Sequence, residues 1–162
     1  MNKSVRSRPA SQEEISLFTL MGQAMLNIQM LEECLGASIT LKVDVGCSHK
    51  LSKIDANKKL TDRLKYTLGK AVKEALKNSL YPTDLQKSLE KIVTERNWLV
   101  HKIVNDFYNP TKRNELFLKI NSIAIAAHNI QIAIENDLIN FSEKKGLDMT
   151  SVKNEIAKWS KE

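Results

Sequence analysis

The stretch Glu95-Arg96-Asn97-Trp98-Leu99-Val100-His101 puts a guanidinium, an amide and an imidazole within a turn and a half of one predicted helix. An arginine's planar fork grips an anion through parallel hydrogen bonds and stays charged at any working pH. A histidine ring ordinarily titrates near 6.5, so it takes or gives a proton around neutrality. An asparagine supplies a donor and an acceptor that orient either group. Such a set suits proton transfer beside a held anion.

At 100° per residue, Leu85, Leu89, Ile92, Leu99, Ile103 and Phe107 form one apolar face with Arg96 near its centre. A guanidinium buried there alone costs several kcal/mol, so Arg96 needs a carboxylate, a bound anion or an opening to solvent. Glu32 and Glu33 of the first helix are the candidate carboxylates. Asn97 and His101, four residues apart, stand one above the other on the adjoining polar flank with Glu90 and Tyr108.

The elements that hold this segment are all helical. Ser11-Gln12-Glu13-Glu14 is a capping box, and Ile15, Phe18, Met21, Met25, Ile28, Leu31 and Leu35 carry a helix to about residue 42. Periodicity fails around Gly46, and residues 43–55 are expected as the main interior loop. Leu60, Leu64, Leu68, Val72 and Leu76 predict one continuous helix over 56–78, whose other side carries Lys59, Arg63, Lys70, Lys73 and Lys77 as a solvated face. Pro82 and a second capping box, Thr83-Asp84-Leu85-Gln86, start the motif helix, which Asn109-Pro110 stops near Tyr108. A long helix over 112–145 ends at Gly146. It carries a core stripe (Ile120, Ile123, Ala124, Ala127, Ile130, Ile134, Leu138) and a second stripe at strict sevens, Leu118, Ile125, Ile132 and Ile139, which needs another helix or a second chain. Val152, Ile156 and Trp159 mark a short closing helix. The expected fold is therefore all-α: a bundle of four main antiparallel helices plus a short C-terminal one. Residues 1–10 are expected as a disordered basic arm, and 11–162 as one helical domain.

The chain's 162 residues suffice for one domain with a sizeable core, and its 5 glycines and 3 prolines argue against a turn-rich β-sandwich. The longest unbroken apolar run is Ile123 to Ala127, so no membrane span is expected, and with no secretory leader at the N-terminus the expected compartment is the cytoplasm. Cys34 and Cys47 lack metal-ligand spacing, so no metal and no cofactor is expected, and Cys47 with His49 is taken as ordinary loop composition. His128 is taken as an ordinary helix residue. A net charge of +6 favours an anionic partner, and only five of the 25 basic residues are arginines: 6, 8, 63, 96 and 113.

Arg96-Asn97-x-x-x-His101 resembles the R-polar-x-x-x-H signature of HEPN domains, all-helical proteins of bacterial toxin and antiphage systems. The resemblance extends loosely over residues 12–145, through Ile-Gln-x-Leu-Glu-Glu at 28–33 and Thr-Leu-Gly at 67–69. It implies a homodimer whose two motifs face each other, here through the third and fourth helices. It also implies a metal-independent endoribonuclease acting as a toxin or defence effector, with RNA as substrate and an antitoxin or defence-system protein as a further partner. Cleaving RNA without metal needs a base for the 2'-hydroxyl, an acid for the leaving 5'-oxygen and a cation for the phosphorane. His101, a second His101 across a two-fold axis and Arg96 would fill those roles, with Asn97 orienting. The competing class is a non-catalytic HEPN-like interaction module, an adaptor or antitoxin-like dimer in which His101 packs against core. A DNA-binding regulator ranks last, for want of a short-turn helix pair with a basic second helix.

Overall fold

Ser11 opens the first helix as its sequence requires: its hydroxyl accepts from the Glu14 amide at 3.3 Å and the Glu14 carboxylate accepts from the Ser11 amide at 2.8 Å. In the computed structural model, which describes residues 9–46, 51–107 and 109–159, this cap starts α1, Gln12–Ile39. A π-helical segment, Thr40–Val45, continues it. There follow α2 (Lys53–Arg63), α3 (Leu68–Lys77), α4 (Thr83–His101), the single turn α5 (Val104–Phe107), α6 (Arg113–Lys144) and α7 (Thr150–Trp159). The fold is an all-α bundle, and the described residues include no strand. Cys47, His49 and Tyr108, like residues 1–8 of the basic arm, lie outside the described residues.

The bundle is all-α as expected, but its main helices are not all antiparallel: three pairings along α1, its π-helical continuation and α6 set these side by side in the same direction. Arg113 donates to Glu13 at 2.7 Å, Asn27 donates to the Ala124 carbonyl at 3.0 Å, and Lys42 pairs with Asp137. α4 runs antiparallel to both, with Trp98 level with Lys119 and Ser88 facing the same hollow as Asn129. Ile28, Leu31 and Leu35 of α1, Leu89 and Ile92 of α4, and Ile120, Ile123 and Ile134 of α6 fill the core between them. An 18-residue stretch of the helix over Pro110–Lys144 reaches a mean hydropathy of 1.2, enough by length and composition to cross a bilayer, although scattered polar residues keep every unbroken apolar run short. Of that stretch 39% is buried inside the bundle. Gly146, at φ +85°, closes α6 in the left-handed conformation that glycine adopts without strain.

Two expected boundaries shift, and tertiary contacts explain both. The continuous helix over 56–78 is two helices: the chain turns at 64–67, where Thr67 caps α3 and the Glu32 carboxylate accepts from the Leu68 amide at 2.8 Å. α2 buries no residue, so Leu60 and Leu64 do not extend the core stripe that Leu68 and Val72 belong to. Arg63 is withdrawn from the expected solvated face, bonded to Asp44 at 3.2 Å and within 3.5 Å of Glu74. The expected capping box does not form: Thr83 is already helical, the N-cap position falls on Pro82, which has no capping side chain, and Gln86 donates to the Tyr81 carbonyl at 2.7 Å. It ends at His101 rather than near 108: the chain kinks so that Ile103 and Phe107 both reach the core, Phe107 stacking on Phe18 at 4.9 Å.

Where α1 ends, Lys42 enters the bundle with only 8% of its side chain exposed. Asp137 holds its ammonium, the Leu80 carbonyl accepts from it at 3.3 Å, and the Tyr81 ring lies 4.7 Å beneath. Beside it the Tyr81 hydroxyl donates to Ser38 at 2.7 Å. A Cβ at Gly46 would stand 2.9 Å from both the Lys42 carbonyl and the Phe141 ring, so the segment closes only on glycine. Breaking a buried ion pair by deleting one partner costs roughly 3–5 kcal/mol. Asp137 keeps a third of its side chain exposed, so Asp137→Ala should cost about 2–3 kcal/mol in urea denaturation. Lys42→Met should cost less, since Asp137 can then be solvated while the thioether fills the same space.

Candidate functional site

The three motif residues occupy the last two turns of α4 and point out of the bundle. Arg96 lies on the core-facing side of α4 by register, yet it is only half-buried. Its aliphatic stem covers apolar surface while its head turns outward. There Nη1 donates to Asn97 Oδ1 at 3.4 Å. Neither expected carboxylate reaches it: Glu32 is taken by the Leu68 amide, and Glu33 lines a hollow with Cys34 and Leu60 on the side of α1 covered by α2. Among the described residues Arg96 has no ion pair, so it meets its electrostatic need at solvent.

Asn97 and His101 are exposed, one turn apart, and the His101 imidazole makes no hydrogen bond to a described residue. His101 sits in the last turn of α4. The motif thus brings a cation and an amide into contact with each other and leaves an accessible ring one turn further along the same helix end. Arg96 and His101 do not touch. On one helix, side chains five positions apart diverge by about 140°, so the two meet at a common reactant only if it spans the helix edge or a second chain completes the site.

Sequence inspection missed the neighbour of this motif. Trp98, between the motif residues, carries the Lys119 ammonium 3.6 Å above its ring, and a hollow of about 320 Å³ opens there, lined by Asn97, Trp98, Lys102 and Lys119 among others. The signal was the long-range pairing of α4 with α6, which spacing within one helix does not carry. Other candidate nucleophiles are poor. Burial, with the Glu135 charge adding to it, pushes the Cys34 thiol up to about 12, so it stays protonated at neutral pH. Burial likewise pushes the Tyr81 phenol up, against its hydrogen bond to Ser38. His128 is exposed on α6, away from the motif. Among the described residues no three His, Cys, Asp or Glu side chains converge as metal ligands would.

The second stripe of α6 divides. Ile139 is buried at 6% exposure and belongs to the core, whereas Leu118, Ile125 and Ile132 are 70%, 52% and 40% exposed. No family model, curated protein or solved structure matches this chain.

A half-buried cation without a carboxylate is retained at a cost to stability. Replacing Arg96 with methionine, of similar reach and no charge, should leave the urea midpoint unchanged or raise stability by up to about 1 kcal/mol. A loss above that size would show that Arg96 has a structural partner.

Proposed function

We propose that the chain is a metal-independent endoribonuclease of HEPN type that works as a homodimer. The observation that carries this reading is Arg96: a guanidinium with no ion pair among the described residues, bonded to Asn97 Oδ1, with the exposed His101 imidazole one turn beyond Asn97. A structural arginine withdrawn from solvent finds a carboxylate, as Arg63 and Arg113 do here. Arg96 is left for an anion.

The RNA 2'-hydroxyl attacks the adjacent phosphorus as one His101 takes its proton. The new O2'–P bond forms, the P–O5' bond breaks, and the 5'-oxygen leaves with a proton from the partner's His101, giving a 2',3'-cyclic phosphate and a 5'-hydroxyl. Arg96 neutralises the charge that builds on the non-bridging oxygens. One chain offers one histidine at the motif, which is the chemical reason for the dimer. The exposed Leu118, Ile125 and Ile132 supply apolar surface for it, on the helix that packs beside α4. The same stripe favours the second reading, a non-catalytic interaction module that uses this face to bind a partner.

Incubating the protein with cellular RNA in EDTA should yield fragments ending in cyclic phosphate. His101→Ala should lower the rate by roughly 10² to 10⁴ while its stability stays within about 0.5 kcal/mol of wild type, since the ring is solvent-exposed. Full activity in that variant, or equal cleavage of DNA, rejects the mechanism; no cleavage of any RNA leaves the interaction module as the better reading. Light scattering at tens of micromolar should report a dimer, and Ile125→Asp, which touches no core contact, should shift it to monomer with the helical content intact. A wild-type monomer would remove the second histidine and with it this mechanism.

A further inference from the structure

We infer that the groove between α4 and α6 is a single-stranded RNA track that leads a strand to the Arg96–His101 motif. The inference rests on the nuclease reading and adds where the substrate lies. Two hollows of about 320 Å³ each lie end to end along these helices, and both are lined by Glu95 and Lys119. The first extends to Ser88, Ser122 and Asn129, and the second to Asn97, Trp98 and Lys102. From Ser88 to Lys102 is about 21 Å of helix axis, room for a site of about four nucleotides.

The chemistry of the walls fits a polynucleotide. Lys91, Lys102 and Lys119 have no ion pair among the described residues, while Glu95 is the one carboxylate lining either hollow. The groove is therefore net positive, in a fold that pairs Lys42, Arg63 and Arg113 with carboxylates elsewhere. Hydroxyl and amide groups of Ser88, Ser122 and Asn129 offer donors and acceptors to base edges and 2'-hydroxyls. Trp98 supplies a flat π-face midway, occupied in this structure by the Lys119 ammonium at 3.6 Å. A base stacking on that face displaces Lys119 toward the flanking phosphate, so one side chain serves as cover for the empty platform and as phosphate contact when it is filled.

Size selects the strand. Each hollow, at about 320 Å³, is too small for an RNA duplex, whose bases are in any case stacked away from reach. Asn97 ties the track to the motif, since it lines the second hollow and bonds to Arg96. Neither Arg96 nor His101 lines either hollow, so in the proposed track the strand leaves the groove over Asn97 to bring a phosphodiester to the motif.

The test is fluorescence anisotropy of a labelled RNA of about 12 nucleotides titrated into the intact His101→Ala chain in EDTA, across a salt series. In that background Trp98→Ala should weaken binding about 10-fold or more and Trp98→Phe should restore most of the loss, as stacking requires. Lys102→Glu, an exposed change that leaves the core alone, should weaken binding, and Lys102→Ala should lower the slope of log affinity against log salt by about one. Circular dichroism checks that each variant is folded; should Trp98→Ala fail to fold, Trp98→Phe and the Lys102 variants still decide. Unchanged affinity in the folded variants, equal binding of an RNA duplex, or displacement of the RNA by a polyglutamate peptide would overturn the track. Because binding is read without cleavage, RNA bound through the groove by a protein that never cuts rejects only the nuclease reading. Cleavage that depends on His101 with binding indifferent to Trp98 and Lys102 rejects only the track.

Discussion

The parallel seam between α1 and α6 is the constraint from which the rest of the molecule follows. Two helices of 28 and 32 residues bury Ile28, Leu31 and Leu35 against Ile120, Ile123 and Ile134, and Arg113–Glu13, Asn27–Ala124 and Lys42–Asp137 fix them in register and in one direction. Parallel neighbours oblige the intervening chain to return to the starting end before the second helix begins. α4 makes that return. Its last turn is therefore delivered to the end where α1 starts, and the kink after His101 lets Phe107 close on Phe18 before the chain enters α6. The position of the motif is a consequence of this topology.

The same topology sorts the charges. At the end where α1 passes into the π-helical segment, Asp44 and Glu74 hold Arg63, and Asp137 holds Lys42, in surroundings too poor in water to leave a cation alone. At the opposite end Glu13 and Glu14 flank Arg113. Between these neutralised ends, α4 and α6 face each other across Lys91, Lys102 and Lys119 with one carboxylate, and Arg96 bonds only to an amide. Three lysines without an ion pair among the described residues thus line the α4–α6 groove with one carboxylate. That local excess, rather than the overall charge of +6, is what the proposed anionic ligand rests on.

Strict sevens along α6 illustrate how a pattern divides in three dimensions. Leu118, Ile125 and Ile132 face outward from the bundle, while Ile139, the next in the same series, is buried where the top of the bundle closes around Lys42 and Phe141. The repeat was visible along the chain, but the point where it stops being surface depends on which segment lies over it. Arg96 shows the converse. Register places it on the apolar side of α4, and only the failure of Glu32 and Glu33 to reach it leaves the guanidinium open.

What the sequence determined by itself is local and periodic: the Ser11 cap, the Gly146 stop, the helical spacing of the core stripes and the nearness of Arg96, Asn97 and His101 on one helix. Each depends on contacts within a few residues, which residue types and the 3.6-residue repeat dictate. Tertiary structure decided the rest. The turn at 64–67 exists because Glu32, distant in the chain, satisfies the Leu68 amide, and α4 stops at His101 because Phe107 packs on Phe18. Trp98 and Lys119 become neighbours only when α4 lies along α6. A long-range contact trades one local preference against burial or a hydrogen bond elsewhere in the chain, and that balance is absent from any window short enough to show a helix.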